Sequence, residues 1–284
     1  MDRVKIIECP RDAMQGIKSH FIPTELKAQY INMLLKVGFD TIDFGSFVSP
    51  KAIPQMRDTA AVLKQLDITS TQSKLLAIVA NVRGAKDAVQ FEEIDYLGYP
   101  FSISENFQMR NTGKTIDQSI FILDELLNIV AKTDKEVVAY LSMGFGNPYG
   151  DPWSVDIVGE WTHKLVDMGI KILSLSDTVG VASGKSISYL FSHLIPLYPH
   201  IEFGAHLHTT PTTWFEKIDA AYKAGCKRFD GAIKGFGGCP MAKDELTGNM
   251  PTEKLLSYFT HQKVDPNMNP LAFESAYNKA LRVF

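Results

Sequence analysis

The chain has 284 residues, 45% of them hydrophobic, and a formal net charge of −3. That length suits one large α/β domain or two smaller ones, and a near-neutral charge without a basic stripe speaks against a nucleic-acid surface. No apolar run reaches the ~18 residues that suggest a membrane span. Residues 1–8 run straight into a strand pattern with no apolar leader segment, and the three cysteines, Cys9, Cys226 and Cys239, have neither disulfide nor metal-knuckle spacing. The expectation is a cytoplasmic protein with free thiols that binds neither nucleic acid nor membrane.

Eight short runs, apolar on both faces, read as strands of a covered parallel sheet: residues 4–8, 41–44, 74–80, 94–102, 136–143, 170–177, 201–208 and 228–233. Amphipathic runs lie between them. Residues 24–36 carry a helical stripe of Leu26, Tyr30, Met33 and Leu34, continued by Val37. Residues 115–131 open with Thr115-Ile-Asp-Gln118, a capping-box signature. Residues 155–168, 213–224 and 252–258 also read as helices. Three helices run into Gly38, Gly169 and Gly225 and then into a strand, as left-handed helix caps do. This repeated unit predicts a (β/α)8 TIM barrel, one catalytic domain over residues 4–262 with a short helical extension over 263–284. A doubly wound open sheet is the alternative; Pro240 stands where a dinucleotide loop needs its last glycine.

In such a barrel the site is built at the C-terminal strand ends. Taken in chain order, those ends offer Arg11, Asp12 and Gln15; Asp43 and Ser46; Ser102 and Ser104; Ser142; Ser174 and Asp177; His206 and His208; then Cys239 and Asn249. His206 and His208 are two residues apart in a strand, so both imidazoles point to one face and can reach one ion. Asp12, His206, His208 and Asn249 form an oxygen and nitrogen set that suits Mg²⁺ or Mn²⁺ without excluding Co²⁺ or Zn²⁺. Four ligands leave two octahedral positions for a chelating substrate hydroxyl and a neighbouring oxygen.

The ordered stretches Cys9-Pro-Arg-Asp-Ala-Met-Gln15, Ser46-Phe-Val-Ser-Pro-Lys51, Pro54-Gln-Met56, Leu175-Ser-Asp-Thr-Val-Gly180, Ala205-His-Leu-His208, Gly235-Phe-Gly-Gly-Cys-Pro240 and Gly248-Asn-Met-Pro-Thr-Glu253 resemble hydroxymethylglutaryl-CoA lyase. That enzyme family belongs to the metal-dependent lyase and Claisen-condensing barrel superfamily. The resemblance implies cleavage of 3-hydroxy-3-methylglutaryl-CoA into acetyl-CoA and acetoacetate, as in leucine degradation. It implies a CoA thioester substrate, one divalent ion per site and a homodimer. By the same resemblance, Asp12, His206, His208 and Asn249 match metal ligands, and Arg11 matches the arginine that stabilises the thioester enolate. Cys239 matches the active-site cysteine of the loop after strand eight. Gln15, Asp43, Ser46, Ser174 and Asp177 are expected around the substrate.

Three departures bear on those expectations. Asp43 stands where the family usually has Glu, which changes its hold on the Arg11 region. Thr209 stands where an acid usually follows the second histidine, which threatens the orientation of a ligand imidazole. Cys9 and Ala13 replace glycines, and a Cβ at a tight turn shifts the backbone. The competing readings are a synthase or aldolase acting on acetyl-CoA or 2-oxo acids, and a non-catalytic acyl-CoA-binding paralogue.

Overall fold

The computed structural model describes residues 4–238 and 247–284. Eight strands run parallel: β1 (Lys5–Glu8), β2 (Thr41–Ser46), β3 (Lys74–Ile78), β4 (Tyr96–Ser102), β5 (Glu136–Ser142), β6 (Ile172–Asp177), β7 (Glu202–Thr209) and β8 (Arg228–Gly231). Each pairs with the next, and β8 pairs back onto β1, so the sheet closes. The eight expected strands are present, with ends displaced by no more than two residues. A two-residue strand, β9 (Gly248–Asn249), adds antiparallel to β7 and sets Asn249 opposite His208.

Alternation sorts the side chains. Leu173 and Leu175 of β6, like Phe203, Ala205 and Leu207 of β7, join the large core between barrel and helices. The opposite face fills the barrel with Leu76, Ile78, Tyr96, Val138, Tyr140 and Ile172. The N-terminal mouth is tied by Lys5 and Arg228, which meet Glu202 at 2.5 and 3.0 Å. No helix among the described residues is long and apolar enough to cross a membrane.

The five expected helices are found as Thr24–Leu35, Ile116–Val130, Val155–Asp167, Trp214–Lys223 and Thr252–His261. Both halves of the Thr115–Gln118 capping box are made. Gly38, Gly169 and Gly225 have φ of +91°, +100° and +100°, the conformation their position after a helix requires. Five further helices, Pro10–Gln15, Thr59–Leu63, Val82–Ala88, Glu105–Thr112 and Gly184–Leu197, complete the outer layer. The C-terminal extension holds one helix, Pro270–Ala280, packed on Thr24–Leu35.

One buried acid ties β1 to the segment after β8. Glu8 lies on the outward face of its strand and accepts the Ile233 N–H at 2.9 Å and the Thr252 hydroxyl at 2.6 Å. Burial pushes its carboxyl up to about 8, against the pull of both hydrogen bonds. The folded protein therefore holds this proton more tightly than the unfolded chain does. The group's contribution to stability is full below an unfolded pKa of 4.5 and is lost as pH rises through about 8. Glu8→Gln keeps an acceptor for Ile233 and replaces the titrating oxygen by an amide. It is expected to flatten the decline in melting temperature between about pH 5 and pH 8 and to melt higher than the parent at pH 8. Parallel melting curves for the two proteins across that range would refute the assignment.

Candidate active site

β1 delivers the chain to Pro10, which opens the helix Pro10–Gln15. Proline suits a first helical turn because its φ is preset and its missing N–H has no partner there anyway. Arg11 and Asp12 thus sit on that turn, at the C-terminal mouth of the barrel. Neither Cys9 nor Ala13 sits where the backbone requires glycine. Cys9 has φ −114°, where a side chain is admitted, and Ala13 lies inside the helix.

Asp12 is the hub of the site. Its Oδ1 accepts from Arg11 Nη1 at 3.0 Å and Gln15 Nε2 at 2.6 Å, and its Oδ2 accepts from Asn249 Nδ2 at 2.7 Å. Burial pushes its carboxyl up, but Arg11, His206, His208 and the Asn249 amide outweigh that and hold it below its ordinary value. Asp12, His206 and His208 bring one donor atom each to within 4.8 Å of one another. Asn249 also donates Nδ2 to the Phe236 carbonyl at 2.8 Å, which leaves its Oδ1 as the atom able to ligate.

The two histidines differ. His206 Nδ1 faces Asp230 Oδ2 at 3.0 Å, leaving Nε2 for an ion. Burial lowers the pKa of His206, but the Asp230 hydrogen bond and charge, aided by Asp12, raise it above its ordinary value. A carboxylate behind a ligand histidine fixes its tautomer and orientation. For His206 that acid comes from β8, from the residue in register with it; His208, which Thr209 follows, has no such carboxylate behind it among the described residues. His208 is buried, and neither ring nitrogen has a hydrogen-bond partner. Burial and the neighbouring His206 hold its pKa down to about 4, only partly opposed by the charge of Asp12 and by the Thr178 backbone beside it, so it is neutral near pH 7. A buried neutral imidazole without partners is costly and is the form that ligates a metal. On this ground the residues fit a divalent ion.

A second group, Cys9, His206 and Asp230, gathers on the Nδ1 side of the same ring. There burial, with the charges of Asp230, Asp43 and Asp12, pushes the Cys9 thiol well up, so it remains a protonated, poor ligand.

Arg11 is gripped from its other side. Its Nε lies 3.1 and 3.0 Å from the two oxygens of Asp43, and Nη2 closes the fork on Oδ2. Burial lifts the Asp43 carboxyl to about 6 despite Arg11, so it is ionised at neutral pH. Arg11 stays charged, because Asp43 and Asp12 outweigh its desolvation. The shorter acid therefore still reaches the guanidinium.

The remaining expected residues are spread around this centre. Ser46 Oγ accepts from Val48 N and donates to the Ile78 carbonyl, both at 3.3 Å. Ser174 is buried inside the barrel with its hydroxyl unpartnered. Asp177 turns to the outside of β6, where it meets Lys217 at 2.5 Å and accepts from Ala182 N. Lys217 in turn donates to the carbonyls of His208 and Gly180, at 2.8 and 3.0 Å, and so braces the backbone of a candidate ligand. Cys239 lies outside the described residues. Gly237, two positions before it, has φ +83°; a Cβ there would fall 2.7 Å from the Asp12 carbonyl oxygen. Sequence reasoning missed Asp230 and Lys217. A lone acid in the apolar β8 run, and a lone lysine near the buried stripe of its helix, are the signals that could have found them.

Comparison with known proteins agrees with this geometry. The HMGL-like family model matches residues 3–278. The hydroxymethylglutaryl-CoA lyase of Bacillus subtilis is 32% identical over 91% of this chain and 85% of its own. The crystal structure of the B. subtilis HMG-CoA lyase superimposes with a TM-score of 0.90 at 32% identity, over 97% of this chain and 92% of that one. An HMG-CoA lyase from Acinetobacter baumannii, solved with coenzyme A and 3-methylmalate, gives 0.90 at 28% identity, over 99% and 91%. A match that runs nearly end to end, on a closed barrel whose mouth gathers an acid, two histidines and an arginine, places this chain in the HMGL-like family.

Proposed function

We propose that the protein is a divalent-metal-dependent carbon–carbon lyase that cleaves 3-hydroxy-3-methylglutaryl-CoA into acetyl-CoA and acetoacetate. The observation that carries this reading is the cluster of Asp12, His206 and His208, with an unpartnered buried imidazole and a clamped arginine beside it. The lyase names of the relatives and the coenzyme A complex of one of them support the substrate class. Asp12, His206, His208 and Asn249 would hold the ion; when bound, it polarises the substrate's hydroxyl and an adjacent oxygen as a Lewis acid. The absence of thiolate from the set supports Mg²⁺ or Mn²⁺.

The chain's own groups do the rest. When the bond between C2 and C3 breaks, negative charge develops on the thioester oxygen of the departing acetyl-CoA fragment. Arg11, permanently charged and aimed by Asp43, stabilises that oxygen. The C3 hydroxyl gives up its proton to water as it becomes the acetoacetate carbonyl, and Cys239, assigned by resemblance, gives a proton to C2 of the acetyl-CoA fragment. Ser46 and Ser174 offer hydroxyls to the acyl group. Gln15 and Asp43 act through Asp12 and Arg11, and Asp177 acts through Lys217. A homodimer belongs to the same reading, by resemblance alone.

Purified protein given the thioester should release acetyl-CoA and acetoacetate in equal amounts. Chelation should abolish this, and Mg²⁺ or Mn²⁺ should restore it. Full turnover by protein verified metal-free by elemental analysis would overturn the metal requirement. Condensation of acetyl-CoA with a 2-oxo acid, without cleavage, would overturn the lyase.

A further inference from the structure

We infer that Phe284, in the C-terminal extension, is a positioning residue for the metal site, acting through Phe236 on Asn249. The inference rests on the reading of Asn249 as a ligand. The Phe284 ring stacks on that of Phe236, with centroids 4.6 Å apart and planes at 26°, and makes a second ring contact edge-on to Tyr30 at 5.8 Å. Phe236 bears the carbonyl that accepts from Asn249 Nδ2, the same nitrogen that bonds Asp12. One aromatic stack thus separates the extension from a group held against two candidate ligands.

Phe236 needs such a hold. It follows Lys234, whose φ of +62° is an uncommon conformation for a residue with a side chain. Glu253 accepts the Lys234 N–H at 3.0 Å, and the Lys234 ammonium lies 5.3 Å from the Tyr277 ring of the C-terminal helix. The extension therefore touches this turn twice, through Tyr277 and Phe284. Phe236 also packs against the core, and its N–H bonds the Ile233 carbonyl at 3.3 Å; the Phe284 stack is the contact that sets the tilt of its ring, and with the stack gone its carbonyl shifts from Asn249. The amide then loses the bond that turns its Oδ1 toward the ion.

The test is Mn²⁺ affinity of the full chain by titration calorimetry, a readout independent of turnover. Phe284→Ala should weaken Mn²⁺ binding about 5-fold or more, near the low end of the roughly 10- to 100-fold seen for groups behind a ligand. Phe284→Trp should restore it. Phe284→Leu, which keeps apolar burial against Tyr30, should show the same weakening with an unchanged melting temperature. In a Phe236→Ala background Phe284→Ala should add nothing, because the two act in series. Unchanged Mn²⁺ affinity in Phe284→Leu, or an effect that persists in the Phe236→Ala background, overturns the inference. Asn249→Ala separates the two readings. If it leaves Mn²⁺ affinity intact, the ligand assignment has failed; if it alone weakens binding, the assignment stands and the role of Phe284 falls.

Discussion

Arg11→Lys is expected to lower kcat by roughly 10²- to 10³-fold, the typical cost of losing one charge-stabilising donor in a transition state, while KM and Mn²⁺ affinity change little. The guanidinium spans two carboxylates at once, with Nε and Nη2 on Asp43 and Nη1 on Asp12. A lysine carries its charge on a single atom and cannot bridge both while facing a third oxygen. The charge is retained but its direction is lost, so the deficit falls on the step where the enolate oxygen gains charge. Acid should act on the same device. The Asp43 carboxyl, at about 6, is ionised above that pH and takes up a proton as pH falls through it, releasing one side of the fork. Activity should therefore decline below about pH 6. A kcat for Arg11→Lys within tenfold of the parent would remove the arginine from this role.

Asp12→Asn is expected to weaken Mn²⁺ binding by more than the roughly 10- to 100-fold attributed to partners behind a ligand, because it takes away the anionic member of the Asp12, His206 and His208 set. The substitution keeps the side-chain volume but turns one acceptor oxygen into a donor. It then faces Asn249 Nδ2, or Arg11 Nη1 and Gln15 Nε2, donor against donor. Turnover should be low at ordinary metal concentrations and should rise again with excess Mn²⁺, a pattern that separates lost affinity from lost chemistry. Calorimetry that finds the same Mn²⁺ affinity in the variant would end the assignment of Asp12 as a ligand.

Much of this molecule is readable in its sequence because a parallel barrel buries both faces of its strands. The eight runs carry apolar residues on both faces, and three of them are entered through a helix–glycine turn. The histidine pair is readable because β geometry alone places residues two apart on one side. What resists reading depends on the third dimension. Thr59–Leu63, Val82–Ala88 and Glu105–Thr112 are too short for a helical period to declare itself. Gly184–Leu197 does carry one, in Ile187, Leu190, Phe191 and Leu194, but a glycine opens it and Pro196 interrupts it. Asp230 is an acid inside a strand, and only the pairing of β7 with β8 reveals that it backs His206. Lys217 belongs by spacing to the buried stripe of its helix, and only its three acceptors explain a lysine there. The tail shows a helix but not its neighbours, and those neighbours are what give it a role.

The pairing of β9 with β7 separates heritable variation from chemistry. Asn249 is brought opposite His208 by main-chain register, which depends little on which side chains precede it. Upstream, Gly237 lies against the backbone of Asp12 and Ala13. Both stems of the segment are therefore docked by peptide groups. Side-chain changes beside these stems that spare Gly237, Gly248 and Asn249 can accumulate without displacing a candidate metal-binding atom. Selection can then retune what the mouth of the barrel admits while leaving the catalytic centre where it is.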